Sequence, residues 1–182
     1  MKENGIMKKI FALIFCAVFC FSCMMTGCTG SAGADVPADG EEITGLGIAN
    51  PMKYYDTAKD VEDAVGIYLN VPAEAADVSY LTISGVTAQS DFTLDGKEFT
   101  LRASNSLSGT ALHGIYGEQT SSEERNFDNG VTVTLSRLSE SYYIAEWEKD
   151  GSFFSLSHAS DSDDVLVNFF ELAAVVEKII AE

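Results

Sequence analysis

Cysteine is the residue of this sequence best suited to covalent chemistry, and its distribution is uneven. The chain holds four cysteines, at positions 16, 20, 23 and 28, and none after Cys28. The first three lie within an apolar run, where a thiol behaves as a small hydrophobic side chain. Cys28 instead follows two small residues, Thr26 and Gly27. Cys28 is therefore the thiol for which the sequence indicates chemistry, and the residues after it must fold without a disulfide bond.

The residues before Cys28 have the composition of an export signal. Three of the first nine residues are lysines, and the following run IFALIFCAVFCFSCMM, from Ile10 to Met25, carries no charge. This run is shorter than the roughly 20 residues that a membrane-spanning helix needs. A basic start, a short apolar segment and small residues behind it are typical of a secretory signal. We predict that residues 1–27 are a signal peptide.

The four residues Met25 to Cys28 resemble the cleavage site of bacterial lipoprotein signals, in which an apolar residue and two small residues precede an acylated cysteine. Cys23 is a rival, but Phe21 is bulky at a position where this site favours a small side chain. The alternative is an ordinary signal peptide with an incidental cysteine. The resemblance implies that Cys28 carries lipid chains such as palmitate. Two acyl chains would hold the protein on the extracytoplasmic face of the cell membrane.

Other side chains that could bind a metal or catalyse a reaction are few. His113 and His158 are the only histidines and lie on separate segments, whereas zinc sites use several His or Cys ligands. His113 has no neighbour that suggests a general-base partner, so a structural role is favoured. Asp161, Asp163 and Asp164 could attract calcium, but the glycine of an EF-hand loop is missing, which favours a helix cap. The sequence predicts no catalytic residue, metal site or cofactor.

Charge further restricts the partners of this chain. After residue 27 the sequence contains 8 basic and 27 acidic residues, a net charge of −19. Nucleic-acid binding is disfavoured because phosphate contacts need clustered Lys and Arg. Residues 28–45 are mostly small and acidic and include no aromatic side chain. We predict that they form a flexible tether between the lipid anchor and a folded domain of residues 46–182.

Hydrophobic periodicity predicts the elements of that domain. Thr57 and Asp60 approximate a capping box at the start of a short helix that ends near Gly66, and a strand is expected over residues 67–71. Asp95-Gly96 is a two-residue hairpin turn that sets Phe92 opposite Phe99. Two further turns are marked by Asn129-Gly130 and Asp150-Gly151. Residues 104–124 show no clear period and receive no assignment.

The third hairpin and the carboxyl-terminal helix define the expected core. The turn at Asp150-Gly151 pairs Trp147 with Phe154, so we expect Trp147 to lie in the core and not to act as a ligand-stacking platform. Asn168, Glu171 and Lys178 are expected to face away from the sheet. The apolar stripe of the helix is expected to comprise Leu166, Phe169, Phe170, Ala173, Val176 and Ile180. The fold class is therefore α+β: a single domain with an antiparallel β-meander, a short N-terminal helix and a long C-terminal helix packed on one face.

Two stretches are similar to an uncharacterised extracytoplasmic domain family. They are NPMKYYDTAKDVEDAVGIYLNVP, from Asn50 to Pro72, and WEKDGSFFSLS, from Trp147 to Ser157. Members of this family occur in Gram-positive lipoproteins and in anti-sigma-factor-like membrane proteins. A second proline that is usual soon after Pro72 is absent here. The resemblance implies a fold and an extracytoplasmic location, and it brings no activity and no catalytic residues.

The anchor, the tether and a compact sheet without a recognisable catalytic set favour a non-catalytic binding or sensing domain. One alternative is a carboxylate-dependent envelope hydrolase that works on the open face of the sheet. Another is an interaction or inhibitor module for a second exported protein. The membrane, reached through Cys28, is the one partner that the sequence predicts, and we expect a monomer. The sequence leaves the ligand unidentified.

Overall fold

Eight strands form one antiparallel sheet in the computed structural model of the protein, which describes residues 50–160 and 162–181. The predicted signal peptide, Cys28, the tether and Asp161 lie outside these residues. Across the sheet the strand order is β1-β2-β3-β4-β8-β7-β6-β5. The strands are β1 (Met52–Tyr55), β2 (Ala76–Ile83), β3 (Thr87–Leu94), β4 (Lys97–Ser104), β5 (Gln119–Asn126), β6 (Thr132–Leu138), β7 (Tyr142–Lys149) and β8 (Ser152–Ala159).

The sheet consists of two four-stranded meanders joined at their last strands. β2 to β4 follow one another through hairpins, as do β5 to β8, whereas residues 56–75, which include a short helix, connect β1 to β2. β4 pairs with β8 at the centre. The connection from β4 to β5 must therefore run from the centre of the sheet to its far edge. It contains the short helix α2 (Thr110–His113), which lies in the stretch without a sequence assignment. The prediction of an antiparallel sheet is confirmed, but a simple meander does not describe its topology.

Two predicted hairpins form in the expected register. Phe92 pairs with Phe99 across the Asp95-Gly96 turn, and Trp147 pairs with Phe154 across the Asp150-Gly151 turn. All four turn residues have positive φ, between 52° and 78°. Such turns match the right-handed twist of the strands, and Asp and Gly tolerate this backbone conformation.

Helices α1 (Ala58–Val65) and α3 (Val165–Ile180) both begin with a side-chain cap. At α1, Thr57 and Asp60 form a reciprocal capping box, and Gly66 ends the helix with φ of 74°. At α3, the Asp164 carboxylate accepts a hydrogen bond from the amide of Val167, so the cap interpretation of this aspartate is confirmed. No helix in residues 50–160 and 162–181 is long and apolar enough to cross a membrane.

The strand predicted over residues 67–71 is not present. The segment has the expected alternation, with Ile67 and Leu69 buried and Tyr68 exposed, but it joins no sheet. Its polar contact is instead with α3, because the Asn70 side-chain amide donates to the carbonyl oxygen of Ile179 at 2.8 Å. The alternation of apolar and polar residues therefore predicts which side chains are buried, but it does not predict whether the segment pairs with another strand.

The C-terminal helix is confirmed, but part of its predicted buried face is wrong. Leu166 and Phe170 are 62% and 64% exposed, whereas Asn168, which was expected to face away, is 1% exposed. The Asn168 side-chain amide donates to the carbonyl oxygens of Ser162 at 3.1 Å and Asp164 at 2.8 Å. These bonds complete the start of the helix, and they compensate the cost of burying a polar amide.

Helix α3 packs across β6, β7 and β8 and closes the main core. The ring of Phe169 meets the ring of Tyr143 edge to face, with centroids 6.0 Å apart. Trp147 is 5% exposed, and its ring stacks on Phe154 at 5.4 Å. The prediction that Trp147 is a core residue is confirmed.

Candidate ligand-binding groove

The two faces of the sheet differ in character, and this difference determines where a site can form. Strand alternation places Phe99, Tyr143, Trp147 and Leu156 on the face that α3 covers, which we call the covered face. The opposite face, called the polar face, carries residues paired across four strands. They are Gln89, Arg102, Ser155 and Glu146, in that order across the sheet.

Arg102 organises the polar face. Its Nε donates to Gln89 Oε1 at 2.7 Å, and its Nη1 donates to the carbonyl oxygen of His113 at 2.6 Å. The Gln89 amide and the Thr100 hydroxyl donate in turn to the Asp91 carboxylate. The arginine therefore fixes α2 against the sheet, and partial burial lowers its pKa. A charge-assisted network of this kind accounts for Arg102 without a ligand.

Glu146 is the other charged group of interest on the polar face. It lines a cleft of about 290 Å³ together with Glu148 and the α2 residue Leu112. Desolvation raises the pKa of the Glu146 carboxyl, which is a property of general acids. The two carboxylates, however, lie two residues apart on one strand and approach the cleft from the same side. Glycoside hydrolysis requires carboxylates on both sides of the scissile bond, so this pair fits that reaction poorly.

A groove of about 530 Å³ lies on the covered face near the β7–β8 hairpin. It is enclosed by three parts of the chain: the segment after α1, the β7–β8 hairpin and the last turn of α3. Its apolar wall comprises Ile67, Trp147, Phe154, Ile179 and Ile180. The wall is firmly held, because Trp147 and Phe154 stack with an interplanar angle of only 6°. A preformed concavity of this size, lined by both apolar and polar side chains, fits a small molecule.

Polar groups lie around the mouth of this groove. They are Tyr68, Asn70, Lys149, Asp150 and Ser152. Two of them already have partners, since Asn70 donates to Ile179 and the Ser152 hydroxyl donates to Asn105 Oδ1 at 2.6 Å. Tyr68 is 55% exposed. Lys149 and Asp150 supply one charge of each sign.

Lys149 differs from the other basic residues that the structure describes. Five of these form ion pairs, Arg102 forms the hydrogen bonds given above, and Lys53 lies over the ring of Tyr55 at 5.0 Å. Lys149 is half-buried and forms no ion pair, hydrogen bond or ring contact within residues 50–160 and 162–181. It lies near the last residues of α3, whose carbonyl ends favour a cation.

The candidate residues named from the sequence lie elsewhere. His113 ends α2 on the polar face, and its Nδ1 accepts a hydrogen bond from the amide of Ile115 at 3.0 Å. His158 is buried on the covered face, so the two histidines are on opposite faces. Asp163 is exposed and forms an ion pair with Arg137 at 3.4 Å. No cluster of three potential metal-ligating side chains occurs in the part of the chain that the structure describes.

Sequence reasoning missed the groove because its walls come from distant segments. The one available signal is Lys149-Asp150 at the tip of a hairpin, and the sequence prediction uses only Asp150, as part of the turn with Gly151. Comparison of the chain with protein-family models, with curated proteins and with solved structures gives no match. The similarity to an extracytoplasmic domain family therefore stays a prediction from the sequence.

Proposed function

We propose that this protein is a lipid-anchored extracytoplasmic binding domain, and that its groove takes a small molecule with an apolar body and an anionic group. The observation that carries the proposal is the half-buried Lys149 at the mouth of the 530 Å³ groove, without an ion-pair partner among the described residues. The lipid anchor at Cys28 and the extracytoplasmic location are supported by the sequence around Cys28 and by the similarity to lipoprotein domains.

The groove is suited to retain such a molecule. An aromatic or aliphatic body would lie against Tyr68 and Phe154, the more exposed rings of the groove, while Trp147 stays a core residue that borders it. Burial of apolar area contributes about 25 cal/mol for each Å². An anionic group of the ligand would form an ion pair with the Lys149 ammonium. Lys149 is partly removed from water, and an ion pair is stronger in such a position than in bulk water. Asp150 opposes this contact, so it limits affinity and selects against ligands with several negative charges.

The groove favours neither of the two alternatives. A carboxylate-dependent hydrolase would use Glu146 and Glu148, but their cleft is only about 290 Å³ and both lie on one strand. An interaction module needs an extended surface and not a concave groove. Such a surface exists elsewhere on the domain, and it does not compete with a ligand in the groove.

The groove can be tested with 8-anilinonaphthalene-1-sulfonate, an aromatic dye that carries one sulfonate. The sole tryptophan forms part of the wall, so we expect dye binding to quench Trp147 emission by energy transfer at a stoichiometry of one. Lys149→Gln should weaken binding about tenfold, the effect of losing roughly 1.4 kcal/mol of charge pairing. Asp150→Asn keeps a residue that tolerates positive φ and should strengthen binding.

Lys178→Gln is the matched control. Lys178 lies in the last turn of α3, near which Lys149 also lies, but it forms an ion pair with Glu74 at 2.8 Å. It should leave the dye affinity unchanged. Equal affinities for the protein, Lys149→Gln and Lys178→Gln would show that the dye binds without the charge contact. That result would remove the groove from the proposal.

The anchor is tested independently. We expect Cys28→Ala to abolish labelling of the protein by a radioactive fatty acid and to move it from the membrane to the soluble fraction. The reason is that two acyl chains give stable membrane retention, which a flexible acidic tether cannot replace. Cys23→Ala is the matched control and should change neither property. Retention and unchanged labelling of the Cys28 variant would contradict the assignment.

A further inference from the structure

A second surface of the domain lies at the β5 edge of the sheet, away from the groove. Three apolar side chains, three and four positions apart on one side of α3, are exposed: Leu166 at 62%, Val167 at 47% and Phe170 at 64%. Arg125 of β5 lies over the Phe170 ring, with its guanidinium carbon 4.3 Å from the ring centroid. This contact shows that Phe170 flanks the edge strand. We call these three residues the apolar shelf.

The strand beside the shelf is the more accessible of the two sheet edges. β5 has eight residues and pairs on one side only, with β6. The opposite edge strand, β1, has four residues, and the uncovered part of β2 beyond it is interrupted by a register shift between Ala76 and Ser79. An edge strand presents a row of unpaired backbone donors and acceptors. β5 also has a register shift, between Gln119 and Ser121, but its residues 121–126 pair with β6 without interruption. β5 therefore offers the longer continuous row.

The side chains of β5 determine which strand can pair with this edge. Glu123 and Arg125 lie on the covered face, because their partners Leu135 and Val133 belong to the core, and they form an ion pair at 2.5 Å. Glu124 projects from the polar face, on the opposite side of the strand. An added strand would therefore meet the apolar shelf with one set of alternate side chains and Glu124 with the other set.

A second copy of this chain does not satisfy these requirements. The sequence after residue 27 has a net charge of −19, so two copies repel each other. β5 itself has no apolar residue to place on the shelf of another copy. Charge complementarity instead favours a cationic strand, since opposite charges across neighbouring strands are stabilising and like charges are destabilising.

We propose that β5 and the apolar shelf together bind an extended segment of another exported protein, in which basic residues alternate with apolar ones. The segment adds a ninth strand beside β5. Backbone hydrogen bonds supply affinity, and alternate side chains supply specificity, as in other strand-addition complexes. The apolar side chains cover Phe170 and Leu166, and the basic side chains face Glu124. This proposal does not depend on the groove or on its ligand.

The test uses a blocked nine-residue peptide of alternating lysine and valine, with the same peptide carrying glutamate as the control. We expect the lysine peptide to slow amide hydrogen exchange in residues 119–126 and to leave β1 unchanged. The glutamate peptide should leave both edges unchanged. Exchange reports the edge itself, so it separates strand addition from general attraction to an acidic protein.

Two exposed positions provide the variants. Phe170→Ser removes the largest side chain of the shelf and should weaken peptide binding about tenfold, and Glu124→Lys should weaken it by at least as much. Tyr116→Ser is the matched control, because Tyr116 is also highly exposed but is not on β5 or α3. Thermal unfolding of all variants should be unchanged.

Three results would overturn the proposal. The first is equal protection by the lysine and glutamate peptides, and the second is protection at β1 but not at β5. The third is concentration-dependent self-association of the peptide-free protein that Phe170→Ser abolishes, since the occupant of the shelf would then be a second copy.

Discussion

Replacing Trp147 with alanine should lower the free energy of unfolding by about 3–5 kcal/mol, the usual cost of removing a large buried aromatic side chain. The indole is 5% exposed, and its ring stacks on Phe154 on the face that α3 covers. The truncation removes this contact and leaves a cavity beside Ile179 and Ile180. The groove already adjoins the indole, so water can enter the cavity and the cost should fall toward the lower end of the range.

Urea unfolding followed by circular dichroism measures the change, since the variant has no tryptophan emission. Tyr116→Ala is the control at an exposed aromatic position and should alter stability by less than about 0.5 kcal/mol. In the intact protein, Trp147 emission should be blue-shifted and should resist quenching by iodide. Deleting residues from Val165 onward should expose the indole. Free quenching by iodide in the folded protein would show that the covered face is open, which would contradict the core assignment.

Local sequence signals predicted the hairpins because they determine both the turn and the register. Asp95-Gly96 and Asp150-Gly151 each supply two residues that accept positive φ, which specifies a two-residue connection. Once the connection is fixed, strand alternation leaves one register that buries the aromatic side chains. The pairs Phe92 with Phe99 and Trp147 with Phe154 follow from these two facts.

The pairing of β4 with β8 could not be predicted in the same way. Thr100 pairs with Ser157 and Leu101 with Leu156, residues far apart in the sequence and joined by no turn. The intervening strands form a meander of their own, so the choice of partner for β4 depends on how the two meanders fill one core. The segment at residues 67–71 shows the same limit, since its alternation was correct but no strand edge lay beside it.

The buried face of α3 illustrates the limit of hydrophobic periodicity. Leu166 and Phe170 continue the apolar stripe, yet α3 lies on the sheet with Asn168 turned inward. The reason is local: the Asn168 amide bonds the carbonyl oxygens of Ser162 and Asp164 just before the helix. A polar residue that satisfies its own hydrogen bonds can occupy a core position, and composition alone does not show this.

The candidate sites could be predicted still less well. Lys149 differs from the other basic residues of the described part of the chain only in having no partner there, and a partner depends on the folded structure. The groove it borders combines residues near 67, 150 and 180, and the apolar shelf combines β5 with α3. Sequence motifs detect chemical groups that lie close together along the chain. Both of these surfaces instead combine residues that packing brings together from distant segments.

The second large effect is expected at His158, whose imidazole is buried between two aromatic rings. Its ring centroid lies 5.2 Å from that of Phe99 and 6.4 Å from that of Tyr143. Neither ring nitrogen has a hydrogen-bond partner in the part of the chain that the structure describes. Burial lowers the pKa of His158, and the positive charge of Lys97 lowers it further, while the negative charge of Glu171 acts in the opposite direction.

A lowered pKa in the folded protein makes stability depend on pH with a defined sign. Above the ordinary histidine pKa of about 6.5 the imidazole is neutral in both states and has no effect. As the pH falls below that value, the unfolded chain takes up a proton that the folded protein does not. Stability is therefore lost with decreasing pH, by up to about 1.4 kcal/mol for each pH unit until the folded-state pKa is reached.

His158→Phe tests this dependence because it keeps a flat ring between Phe99 and Tyr143 and removes the proton site. We expect the stability difference between the variant and the wild type to shift in favour of the variant between pH 7.5 and pH 5, as measured by urea unfolding. Carboxylates titrate equally in both proteins, so they cancel in this difference. His113 has a pKa lowered by burial and by Arg102, so it contributes with the same sign.

His113→Asn is the matched variant, since its side-chain oxygen can accept the Ile115 amide that His113 Nδ1 accepts at present. It should remove a separate part of the pH dependence, and the double variant should remove both parts, because the two histidines lie on opposite faces of the sheet and do not share a partner. The wild type and His158→Phe could instead differ in their free energy of unfolding by the same amount at pH 7.5 and at pH 5. That result would mean that the folded protein protonates His158 as readily as the unfolded chain does. The imidazole would then reach water or an anion, and α3 would have to lie less tightly on the sheet than its contact between Phe169 and Tyr143 indicates.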